Sequence, residues 1–144
     1  MAQKFTFAGL VGRILVALVL VFLTYNPSGY SYYHWLKETT VDRNFDDMGP
    51  WIAMAGIVLL IVWAIFLRAT LRSLGIVGLV LAMAFCGILL WLTISIGIVP
   101  TDTVKPLTYA VLVLSGGILG VGVSWSHIRR RLTGQLDVDD VEVE

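Results

Sequence analysis

Residues 24 to 36 read TYNPSGYSYYHWL, and four of the chain's five tyrosines, Tyr25, Tyr30, Tyr32 and Tyr33, lie there beside His34 and Trp35. Phenol hydroxyls both donate and accept hydrogen bonds, and an imidazole exchanges protons near neutral pH or ligates a metal. Tyr25, Asn26, Tyr30, Tyr32, Tyr33, His34 and Trp35 are therefore the candidate site for a ligand or a protein partner. The competing reading is an aromatic belt, because Tyr and Trp rings are apolar bodies with one polar handle and settle at membrane headgroup level. Glu38, Asp42, Asp46 and Asp47 follow closely and could attract a cation, but their spacing matches no calcium loop. A lone histidine is a poor metal site. The other histidine, His127, falls on the opposite side of the membrane in the topology below. No metal and no cofactor is assigned.

Other residues have narrower roles. Arg13 interrupts an apolar run. It could meet a substrate anion, or snorkel to the interface from under two turns inside a helix. Snorkelling is preferred, since no apolar run offers a carboxylate to pair with it. Gly78, Ala82 and Cys86 recur at four-residue spacing, as do Gly116, Gly120 and Ser124. Each set makes one helical stripe of small residues, which is how helices approach closely in lipid. The two stripes are expected to face each other across a hairpin. Arg129, Arg130 and Arg131 suit anionic lipid headgroups and a helix C-terminus. Nucleophile motifs, phosphate loops and metal-ligand clusters are absent.

The elements that must carry these residues follow from composition. Of the 144 residues, 58% are hydrophobic and only 14% are charged, far from the balance of soluble domains. Ten basic and ten acidic residues cancel, so nothing points to nucleic acid. Apolar runs at about 5–25, 50–68, 74–99 and 106–127 predict an all-α membrane protein, a four-transmembrane-helix bundle over residues 1–132. The first run is read as a span, not a cleaved leader, because no small-x-small site follows it. Pro50 is placed at the first position of the second helix, Arg68 to Ser73 in a tight turn, and Pro100 at the end of the third helix. Thr93 and Ser95 are expected to bond back to helix carbonyls. Asn26-Pro27-Ser28-Gly29 is turn chemistry, and Ser31 could N-cap a short interfacial helix running to Lys37. The acidic tail at 133–144 reads as disordered and cytoplasmic.

With four spans, Lys4, Arg13, Arg68, Arg72 and Arg129 to Arg131 share one side, against Lys37, Arg43 and Lys105 on the other. The positive-inside rule then places both termini in the cytoplasm. The TYNPSGYSYYHWL stretch, after a basic-flanked apolar helix and before three more spans, resembles a family of small bacterial inner-membrane proteins known only as a domain of unknown function. The resemblance implies a bacterial inner membrane and four helices, and it transfers no activity and no catalytic residue. Every Asp and Glu lies outside the apolar runs, which weighs against a proton-coupled transporter. The function expected is a non-enzymatic scaffold or accessory subunit that binds lipids and another membrane protein or itself. A small oligomeric transporter or channel is the alternative, and an enzyme acting on lipid or quinone comes third.

Overall fold

The computed structural model describes residues 6–42 and 45–133. They form four helices: α1 (Phe7–Thr24), α2 (Tyr32–Asp42), α3 (Phe45–Ser95) and α4 (Val104–Thr133). The tail at 134–144 and Arg43 lie outside the described residues.

The helix ends follow local chemistry. α1 stops where Tyr25 turns extended, at φ −145° and ψ 136°. The Asn26 side chain then accepts the Ser28 N–H at 2.8 Å, and Gly29 takes φ 94°, so the Asn-Pro-Ser-Gly turn forms as its residues predict. α2 runs to Asp42, beyond the expected end at Lys37. Ser31, the residue before α2, places Oγ 2.8 Å from Nδ1 of His34, so its hydroxyl engages a side chain three residues on. α3 begins at Phe45, ahead of Pro50, with Asp46 and Asp47 in its first turn, where carboxylates complement the helix dipole. It ends at Ser95 in a Schellman motif, ahead of Pro100. The Ile98 N–H reaches Thr93 O and the Gly97 N–H reaches Ile94 O, both at 3.0 Å, with Gly97 at φ 75°. Thr93 Oγ1 and Ser95 Oγ bond back to Leu90 O and Trp91 O, as expected.

A straight helix of 51 residues would be roughly 75 Å long, more than twice a bilayer core of about 30 Å. α3 is not straight. Gly75 stands at φ 69° and ψ 174°, a conformation almost confined to glycine. The sequence placed the reversal at Arg68 to Ser73; instead those residues are helical and the backbone breaks at Gly75. Before the break, Thr70 Oγ1 donates to Leu119 O at 3.4 Å, and Ser73 Oγ accepts the Ser126 N–H at 3.0 Å. After it, Gly78 and Ala82 lie opposite Gly117, Val121 and Trp125, while Leu89 and Thr93 lie opposite Tyr109 and Ala110. The first arm of α3 therefore runs toward the basic C-terminal end of α4 and the second runs back along α4 away from it.

The core sits where α1, α4 and the first arm of α3 meet. Ala17, Val21 and Leu119 are buried together, and Trp63, Phe66 and Leu112 pack against them. The second arm, residues 76–95, contributes no buried residue.

Candidate functional site

Two features could bind something, one at the end of the bundle where α2 lies and one along α4. The first is a ring cluster. Tyr25 leaves α1 in extended conformation, and the first turn of α2 presents Tyr33 and His34 to it. The Tyr25 and His34 rings stack at 5.7 Å, and Tyr33 meets Tyr25 at 5.5 Å and His34 at 5.3 Å, both edge to face. With Nδ1 engaged by Ser31, Nε2 is the imidazole nitrogen a ligand would meet. The adjoining hollow, lined by His34, Lys37, Glu38, Val41 and Asp42, holds about 250 Å³. That is below the roughly 300–1,000 Å³ of ordinary ligand pockets. It suits an inserted side chain better than a whole small molecule.

The remaining residues of the stretch divide. Tyr32 turns inward and donates its hydroxyl to Ile52 O at 3.1 Å, in a notch that only Gly56 leaves open. Tyr30 is 88% exposed and outside the cluster. Trp35 is half-buried in α2. Asn26 Oδ1 is within 3.4 Å of the Tyr109 hydroxyl, and Tyr109 stacks on Phe22 at 6.1 Å. Tyr109 is the fifth tyrosine and was missed from the sequence. Its position at the start of α4, on the same side as the other four, was the available signal. Thr24 and Trp63 were also missed: Trp63 Nε1 donates to Thr24 Oγ1 at 2.9 Å and ties α3 to α1.

The second feature is a groove between the second arm of α3 and α4. Its main part holds about 630 Å³ and is bordered by Gly78, Ala82, Cys86, Gly117, Val121 and Trp125, among others. A further hollow of about 440 Å³ continues it toward Tyr109, sharing Val113 and Leu114. So Gly78, Ala82 and Cys86 do look toward α4, but across an opening, and onto the Gly117 and Val121 side of it. Gly116 and Gly120 face α1 instead. A Cβ on Gly116 would fall 2.6 Å from Leu18 Cδ2, and one on Gly120 2.6 Å from Ile14 Cα. Gly122, missed from the sequence, gives way to Thr70. Ser124 is wholly buried and accepts a bond of 3.5 Å from Arg13 Nη1. Arg13 thus turns sideways to α4, where the sequence favoured snorkelling.

At the opposite end from α2, Arg129 is exposed and Arg130 half-buried in the last turns of α4. Arg131 follows in the same helix, its side chain outside the described residues. Among the described residues no group of three or more His, Cys, Asp or Glu side chains could hold a metal ion.

Three of the helices, Phe7–Thr24, Asp46–Ser95 and Val104–Arg130, are long and apolar enough to cross a membrane, which defines a multi-span membrane protein. The chain belongs to the family of unknown function DUF6524, whose profile matches residues 8–143. No curated protein and no solved structure matches it.

Proposed function

We propose that this protein is a non-enzymatic accessory subunit of a bacterial inner-membrane complex, crossing the membrane four times with both termini in the cytoplasm. The two arms of α3 serve as separate spans, which puts the ring cluster at the periplasmic face. The observation that carries the reading is the groove. Its glycines are the residues that let helices approach in lipid, yet among the described residues nothing lies within 4 Å of a Cβ built on Gly117, and only Leu74 of the same helix lies near one on Gly78. Each interior glycine weakens a helix by about 1 kcal/mol relative to alanine. A helix of another membrane protein seated against Gly78, Ala82 and Gly117 would give that weakness a use. The ring cluster would then hold the partner's extramembrane segment.

Cys86, the single cysteine, borders the groove and allows a direct test. A thiol-reactive photocrosslinker on Cys86, activated in native membranes, is expected to yield one adduct with a different polypeptide. Adducts with a second copy of this chain would favour an oligomeric transporter or channel. Labelled monomer alone would end the proposal.

A further inference from the structure

The second arm of α3 is held to α4 at its two ends and stands off from it between them. Just before the arm, Thr70 and Ser73 bond to Leu119 and Ser126 of α4. Just after it, the 96–103 turn leads directly into α4. Two of the three glycines with positive φ among the described residues bracket the arm, Gly75 at 69° and Gly97 at 75°. No described atom lies within 4 Å of a Cβ built on either one, so no packed side chain blocks either joint. Glycine crosses backbone regions that other residues avoid, which suits both positions to a hinge.

Between the joints the two walls of the groove are in register. Read in opposite directions, Leu74, Gly78, Leu81, Ala82, Phe85 and Cys86 of α3 have the same spacing as Trp125, Val121, Ile118, Gly117, Leu114 and Val113 of α4. Each residue thus has a counterpart on the other wall, Ala82 with Gly117 and Cys86 with Val113. Leu74, Gly78, Leu81 and Phe85 follow steps of four, three and four, the pattern of helices whose side chains interlock. Yet Leu81 is 64% and Phe85 67% exposed, and no described atom lies within 4 Å of a Cβ on Gly117. Helices in lipid gain by close approach at small residues. The arm and α4 carry a matched surface for that approach and leave it unmade across about 630 Å³ of groove.

We infer that residues 76–95 are a gate on the groove. The open arrangement is the resting one, and the arm exchanges between it and a closed one, pivoting at Gly75 and Gly97, in which Ala82 meets Gly117. Closing fills the seat of a partner helix, and a seated helix bars closing, so the two exclude each other reciprocally. The inference rests on the groove being that seat, as proposed above.

A disulfide reads the closed arrangement, because its two Cβ atoms lie about 3.8 Å apart. The full chain with Ala82→Cys and Gly117→Cys, in a Cys86→Ala background, is purified in detergent and oxidised with diamide. The control pairs Ala82→Cys with Val111→Cys, an exposed position outside the groove lining. The first pair is expected to bridge at least about tenfold faster than the control, since only facing thiols are brought together. Should that variant fail to fold, Val113→Cys decides, bridging to the native Cys86 in the same register. The bridged chain is then returned to solubilised native membranes and recovered before and after reduction with dithiothreitol. Bridging is expected to abolish recovery of the partner polypeptide, and reduction to restore it. Bridging no faster than the control in both variants would overturn the closing motion. Equal partner recovery by the bridged and the reduced chain would overturn the gate. Loss of the partner from the wild type as well would overturn the reading of the groove as its seat, and the gate with it, while the bridging rates still decide whether the arm closes.

Discussion

Adjacent tyrosines have opposite fates in this protein. Tyr32 buries its hydroxyl against a backbone carbonyl of α3, while Tyr33 is 49% exposed in the ring cluster. Neutral hydrogen bonds of this kind contribute about 0.5–1.5 kcal/mol. Tyr32→Phe is therefore expected to lower thermal stability by about 1 kcal/mol, read by unfolding in detergent, and Tyr33→Phe to leave it unchanged. Gly56→Leu should do more damage than Tyr32→Phe, because any side chain there meets the Tyr32 ring. If the ring cluster holds a partner, His34→Gln and Tyr33→Phe should weaken that complex while the protein accumulates normally in the membrane. Wild-type levels of complex in both variants would reduce the cluster to a membrane anchor. Ser31→Ala should act in the same direction as His34→Gln, since it frees the imidazole that Ser31 orients.

At the scale of the elements, glycines divide by what lies opposite them. Gly120 is in contact with the backbone of α1, so Gly120→Leu must push α1 and α4 apart. Forcing bulk into a packed contact costs about 1–3 kcal/mol, and a drop in melting temperature should report it. Gly117→Leu meets empty space and should leave the isolated chain as stable as before. The same substitution should abolish the Cys86 crosslink if a partner helix lies in the groove. Gly75 is set apart by its backbone rather than by its neighbours, for nothing lies within 4 Å of a Cβ built there, yet its φ is 69° and its ψ 174°. Gly75→Ala should cost about 1–3 kcal/mol through strain alone. An unchanged melting temperature would mean that α3 can turn without that conformation.

Over the whole molecule, the arrangement is a tight pair with a loose companion. α1 and α4 lock through Gly116 and Gly120, the first arm of α3 joins them through Thr70, Ser73 and Trp63, and the second arm stands off across the groove. In the proposed four-span topology seven basic residues lie on one side and three on the other, so a reporter fused after Thr133 should read as cytoplasmic and one inserted near Thr40 as periplasmic. A periplasmic signal from the fusion after Thr133 would overturn the proposed topology.

The sequence by itself determined the membrane class, the turn at Asn26 to Gly29 and the back-bonding of Thr93 and Ser95. These are local matters. Run length and apolarity decide whether a helix can cross a bilayer, and Asn, Pro and Gly act on their own backbone. Tertiary structure decided which helix each stripe meets. Four-residue spacing marks Gly116, Gly120 and Ser124 as one face of α4, but it does not name the neighbour, and that neighbour is α1. The same holds for Arg13, turned to Ser124, for Tyr109, drawn to Asn26, and for Tyr32, drawn to the notch at Gly56. The reason is that lipid solvates an apolar face as well as another helix does. Hydrophobicity therefore fails to distinguish the inward face of a membrane helix from the outward one, and only the fit of side chains against small residues does.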